Sequence, residues 1–436
     1  MLLLALALLQ DVPDLRTRKT GVDWPNFLGP TQDSVSPETG LLRTWPEGGP
    51  RVVWQRAIGE GYAPPAVSKG RLFHVERVGP KIVTTAAKSE TGEPLWRFAY
   101  DTDYADMYGY DGGPRCAPVV DDDRVYVYGP EGRLHCLKAV DGAVVWTKDL
   151  SADYKVVQNF FGVGSAPLVE GDLLLVQVGG SPAGSPGIQS GEVRGLDSGL
   201  VAFDKRTGAE KYRMSAELAS YSSPRTATID GRRWGFLFAR GGLLGFDPAT
   251  GKVDFHYPWR ARILESVNSS QPVVVDDLVL ISECYGVGGS LLKIRPGAAD
   301  VVWSDGRKRD RALMTHWMTP IHVDGHVYAS SGRHKENAEL RCLELKTGAV
   351  KWSVPELTRA SLLRADGRLV CLGEDGTLRL LAPNPEKFEE ISKAVLRSAD
   401  GAPLLRYPAW AAPIVSHGYL YVRGRDRLVC LDVLAK

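Results

Sequence analysis

Arginine, aromatic and amide side chains gather in a few short stretches that have no counterpart elsewhere in the chain. Arg115 closes YADMYGYDGGPR, Tyr221 lies in ASYSSP, and Arg260, Arg262 and Asn268 belong to YPWRARILESVNSS. His316 and Trp317 form part of THWM, Tyr407 and Trp410 part of RYPAW, and KVVQNFFGVGS ends at Ser165. Gathered around one axis, these groups would suit a flat, anionic or hydrogen-bonding ligand, or a peptide segment. Rings offer stacking area, and a guanidinium offers a planar fork of donors. The alternative for each residue is that it packs and plugs the space it points into. None of the six cysteines has CxxC spacing and there is no HExxH run, so the pattern predicts no zinc site.

The elements that must position these stretches repeat. RLHCLKAVDGAVVW ends at Trp146, and variants end at Tyr212 (GLVAFDKRTGAEKY), Phe255 (GLLGFDPATGKVDF) and Trp352 (ELRCLELKTGAVKW), with looser copies at Trp96 and Trp303. Each alternates with period two, turns at a Gly preceded by Asp or Thr, and ends on an aromatic. A second hairpin stands upstream, as in APVVDDDRVYVYG from Ala117 or APIVSHGYLYVRG from Ala412. Two hairpins make a four-stranded antiparallel unit, and its repetition at roughly 40–50 residues predicts an all-β propeller.

Units fall at about 62–97, 116–150, 165–214, 222–259, 268–304, 318–354, 360–395 and from Ala411. The last is cut short after its third strand, RLVCLDV. PRVVWQRAI at 50–58 has the form of the missing fourth, so the expectation is eight blades closed by an N-terminal strand, with seven as the alternative should 360–395 not form one. Residues 23–436 would be a single propeller domain. In this template Cys136, Cys342 and Cys430 share one position in separate units, so they read as small core residues beyond bridging distance, and all six cysteines are expected to be free. The terminal aromatics, Trp54, Trp96, Trp146, Trp303 and Trp352, read as packing between units. GGSPAGSPGIQSGEVRGLDSG, from Gly179, interrupts the third unit as a flexible loop or a flap over the axis.

Residues 1–22 read as a leader, because MLLLALALLQ has the length of a signal-peptide apolar region and is too short to cross a bilayer. That predicts an exported, periplasmic or secreted protein with no transmembrane segment. The 53 basic and 52 acidic residues nearly cancel, which leaves no basic footprint for nucleic acid.

AFDKRTGAEKY from Ala202 resembles the tryptophan-docking repeat of quinoprotein-type propellers, Ala-x-Asp-x-x-x-Gly-x-x-x-Trp, with Tyr212 in the tryptophan place. DWPNFLGP from Asp23 and the run down to VVW resemble the start of exported PQQ-binding-like propellers of planctomycete-type bacteria. More distantly the chain is similar to the outer-membrane assembly lipoprotein propeller, although it has no lipobox cysteine near residue 15. The resemblance implies one of two activities. One is a non-catalytic binding propeller, expected as a monomer, whose axial funnel and loop face meet an envelope protein or a small ligand; the breaks in the repeat offer Arg115, Tyr221, Arg260, Asn268, His316, Trp317, Tyr407 and Trp410 for that contact. The other is a PQQ-dependent dehydrogenase with calcium, for which Glu283 and Asn268 would be cation ligands and Asp111 the base. Catalytic members carry an adjacent Cys-Cys pair, which this chain lacks, and the binding reading is preferred.

Overall fold

A computed structural model describes residues 12–190, 192–306, 308–355 and 357–435. Eight antiparallel sheets follow one another along the chain, covering residues 66–101, 119–149, 168–214, 225–258, 273–304, 321–355, 360–394 and 414–432. Seven are complete four-stranded blades within their own stretch. The eighth, Ile414–Ser416, Tyr419–Arg423 and Arg427–Asp432, takes its outer strand from Arg51–Ala57, which pairs antiparallel with Arg427–Asp432. The ring therefore closes without a covalent link at the seam and leaves no open edge there. The divergent 360–394 stretch is a true blade, and Val35–Ser36 adds a fifth strand to it in parallel.

The repeat's terminal aromatics are the joints between blades. In each of these blades the aromatic lies opposite a small residue across a β-bulge: Trp96 opposite Ala86, Trp146 opposite Cys136, Trp352 opposite Cys342 and Trp54 opposite Cys430. Its ring then reaches the next blade and covers the turn glycine there: Trp54 on Gly92, Trp96 on Gly142, Trp146 on Gly208 and Trp303 on Gly348. The indole N–H is satisfied by a backbone carbonyl in the same turn, as in Trp96 to Ala139 (3.0 Å) and Trp303 to Leu345 (2.7 Å). Cysteine suits the facing position because it is small and apolar, and all six cysteines are free and buried.

A segment before the first blade crosses the face that carries the turns between first and second strands. Val12 is buried against the first two blades, and Trp24 exchanges two backbone hydrogen bonds with Val67. Pro25 accepts from Val120 N, Gln32 Oε1 from Thr226 N, and Ser34 O from Arg364 N. The strap thus touches blades one, two, four and seven before it enters the closing strand. The leader was read as residues 1–22; of these, 1–11 lie outside the described residues. Among the described residues no helix is long and apolar enough to cross a membrane.

Candidate functional site

The turn between the first and second strands of every blade begins with a residue in left-handed conformation, at φ between 45° and 59°: Lys69, Asp122, Gly171, Asp230, Asp276, Asp324, Asp366 and His417. Seven residues before each stands a matching position in the incoming connector: Tyr62, Arg115, Gly164, Ser223, Ser269, Trp317, Arg359 and Trp410. All of these except Ser223 line one cavity of about 410 Å³. Every blade's connector reaches it, so it lies on the propeller axis. Two residues further along, Pro64, Ala117, Ala166, Thr319, Ser361 and Ala412 line the same cavity with small side chains, while blades four and five carry Arg225 and Gln271 at that offset. Phe27 and Leu28 of the strap line it as well. They come from the opposite face and give the funnel an apolar floor.

The first ring is lopsided. Blades six, seven, eight, one and two contribute Trp317, Arg359, Trp410, Tyr62 and Arg115, whereas blades three to five contribute Gly164, Ser223 and Ser269. The large groups make a continuous arc. Trp317 and Trp410 have ring centroids 5.0 Å apart, Trp410 and Tyr62 4.7 Å. The Arg359 guanidinium lies over Trp317 at 4.6 Å, and Arg115 lies between Tyr62 (5.4 Å) and Phe161 (5.7 Å). Tyr221 continues the arc from Phe161, at 5.9 Å, and its hydroxyl accepts from Phe161 N at 2.8 Å. Gly164 is required here, since a Cβ in its place would come within 2.6 Å of the Tyr221 ring. At the mouth, Tyr110 bridges Phe161 and Trp410 and is 60% exposed, and Tyr407 leans edge-on against Trp410.

Charge inside the site is matched locally. Arg115 Nη2 binds Asp106 Oδ2 at 2.8 Å, with Gly113 and Asp111 carbonyls taking further donors. Arg359 forks onto Glu374 at 2.7–3.1 Å and donates to Arg333 O, and the same carboxylate accepts from Trp410 Nε1 at 2.8 Å. Burial, with the Arg359 and Arg333 charges behind it, pushes the His316 pKa down to about 3, so this ring is neutral, its Nε2 3.3 Å from Tyr285 Oη. Burial also raises Tyr62, Tyr221 and Tyr285, so these phenols stay protonated.

Six of the eight candidate residues therefore meet: Arg115, Tyr221, His316, Trp317, Tyr407 and Trp410. The other two stand outside the cavity. Asn268 is fully buried and spends its amide donors on Ala239 O and Trp259 O, tying a connector to blade four. Arg260 is exposed, and Nη2 approaches only Leu264 O at 3.4 Å. Tyr62, Tyr285 and Arg359 were missed. The fixed seven-residue offset from the turn would have found Tyr62 and Arg359. The interruption after Gly179 packs Ile188 and Val193 beside Phe160 and Val267, at the side of the site.

The donor set for a calcium-bound quinone is not assembled. Glu283 turns its carboxylate onto the N–H groups of Tyr285, Val287 and Gly288. Asn268 is committed as above, and Asp111 accepts from Gly61 and Gly113. Among the described residues no three His, Cys, Asp or Glu side chains are placed to share a metal ion.

A ring of eight four-stranded blades joined by docked tryptophans around a connector-lined axial cavity defines a PQQ-type β-propeller. Residues 80–354 match the PQQ_2 family described as outer membrane protein assembly factor BamB, and the chain belongs to that family. No curated protein matches it significantly. Among solved structures it is similar to quinohemoprotein alcohol dehydrogenase from Comamonas testosteroni, at 14% identity and TM-score 0.67, over 95% of this chain and 80% of that one. It is also similar to BamB from Moraxella catarrhalis, at 14% identity and TM-score 0.56, over 86% and 97% of the two chains. The computationally designed Ika8 protein matches over 88% of this chain and 100% of its own at 12% identity and TM-score 0.53. At these identities the likeness is one of fold, which carries either activity.

Proposed function

We infer that the protein is a non-catalytic binding propeller of the cell envelope whose axial cavity holds a small, flat ligand. The observation that carries this reading is the arc from Trp317 through Trp410, Tyr62 and Arg115 to Phe161 and Tyr221, lining an axial cavity that Ser269 reaches from the other side of the ring. The rings leave open space on the axis rather than a packed plug. Its volume lies within the roughly 300–1,000 Å³ range of small-molecule sites. A site of this kind binds and orients a ligand, and among the described residues no three metal-ligating side chains gather at it.

The envelope setting is supported by the family's description as an outer-membrane assembly factor and by the apolar run MLLLALALLQ. The exposed rim at Tyr110 and Tyr407 offers a partner protein access to the same mouth.

The test is a thermal-shift screen of wild type and an Arg115, Trp317 and Tyr407 triple alanine variant against PQQ with calcium, simple sugars and neutral aromatic rings. Stabilisation of wild type alone is expected for at least one flat ligand. Equal stabilisation of both proteins would place binding elsewhere, and dye-linked turnover of an alcohol or sugar with PQQ would overturn the non-catalytic reading.

A further inference from the structure

We propose that the axial cavity selects an uncharged ring, a sugar or neutral aromatic with hydrogen-bonding groups on its edge, and rejects the polycarboxylate quinone for which this fold is known. The proposal rests on the binding reading above and adds the ligand's charge class.

Both arginines on the cavity wall are already answered by carboxylates. The Arg115 partner, Asp106, has a side chain only 2% exposed, and the Arg359 partner, Glu374, one only 1% exposed. Neither carboxylate is free to swing away into water, and each guanidinium also serves backbone carbonyls. An incoming carboxylate would have to displace a buried anion or sit beside it, and an unpaired buried charge is among the costliest groups a site can hold. A free arginine fork would have made the opposite choice. Arg333 lies over Tyr285 at 4.5 Å but does not line the cavity, whereas the exposed neighbours Lys335 and Glu336 line it with opposite charges.

Apart from Lys335 and Glu336, the stacking surface offered to a ligand carries no full charge. The faces of Trp317, Trp410, Tyr62 and Phe161 offer stacking area without full charge. The Tyr62 phenol lines the cavity, Ser269 brings a hydroxyl from blade five and Ser361 one from blade seven. A ring with apolar faces and polar edges satisfies both walls at once.

Two pairs of probes differ in charge and little else: 2-naphthamide with 2-naphthoate, and methyl glucoside with methyl glucuronide. Titration by tryptophan fluorescence and saturation-transfer NMR should show the neutral member of at least one pair binding about tenfold tighter or more than its anion, with Trp410→Ala removing the signal. Asp106→Asn frees Arg115, and in protein shown to be folded by its melting curve it should bring the anion within about threefold of the neutral member. Equal or tighter binding of the anions to wild type would overturn the charge selection and leave the cavity a ligand site. Unchanged selectivity in Asp106→Asn would overturn the role given to the pairing. Failure of all four probes to bind would overturn both this proposal and the reading beneath it.

Discussion

The rings of Tyr62 and Trp410 meet with centroids 4.7 Å apart at the seam where the first and last blades join. Tyr62 follows the closing strand Arg51–Ala57, and Trp410 precedes the blade which that strand completes. The cavity's aromatic arc is therefore continuous only while the ring is closed. The pairing of Arg51–Ala57 with Arg427–Asp432 supports the site as well as the fold.

Loosening the seam should be felt first at that pairing. Trp54 on the closing strand covers Gly92 and donates to Ser89 O at 2.9 Å. In Trp54→Ala, amide exchange of Arg427–Asp432 should accelerate well before that of Arg225–Ile229 on the far side of the ring. Uniform acceleration in both would contradict a local seam.

Trp303 is the most sheltered of the five joint tryptophans, 8% exposed, with its indole N–H bound to Leu345 O. Trp303→Ala removes the ring that fills the space against Gly348 and leaves that carbonyl unanswered. Urea unfolding should show a loss of about 3–5 kcal/mol, and a loss below about 1 kcal/mol would mean the joint is not a core contact.

The six thiols are buried, and burial pushes Cys136 and Cys371 up to about 12. Since the thiolate is the reacting species, Ellman's reagent should label none of them in the native protein and all six after denaturation. Rapid labelling of Cys116, the residue after Arg115, would show that the cavity wall opens.

The strap should loosen in alkali. Burial opposes a charge on His417, but hydrogen bonds from its ring to the Asp23 carboxylate (3.0 Å) and the Thr20 carbonyl (2.7 Å) outweigh it and raise its pKa above 6.5, with the nearby Arg16 charge working against them. A histidine that holds its proton more tightly when folded stabilises fully below its unfolded pKa and loses that contribution as pH rises through the folded value. Proteolysis within residues 12–23 should therefore be faster at pH 9 than at pH 6. His417→Gln should abolish the difference, and a faster cut in acid would reverse the sign argued here.

Most of the architecture was legible because it repeats. The template ending at Trp146 located six of the blades, the upstream hairpin pattern suggested the others, and the VVW of residues 52–54 revealed the closing strand before any partner was visible. The cavity was legible in outline, since six of its lining residues were found by asking where the repeat breaks. Arg359 was hidden because blade seven keeps the turn register while losing the template's aromatic. Asn268 looked functional because a buried amide serving two backbone carbonyls has the same sequence appearance as one facing a ligand. Phe27 and Leu28 could not be foreseen, because the strap occurs once and its path depends on contacts with blades distant in sequence.

The most direct measurement is a crystal structure of the protein soaked with whichever probe binds best in solution. The account predicts density within the axial cavity, stacked on Trp317, Trp410 or Tyr62 and facing Gly164 and Ser269, above Phe27 and Leu28. Density only on the outer surface, with side chains closed over the axis, would contradict it.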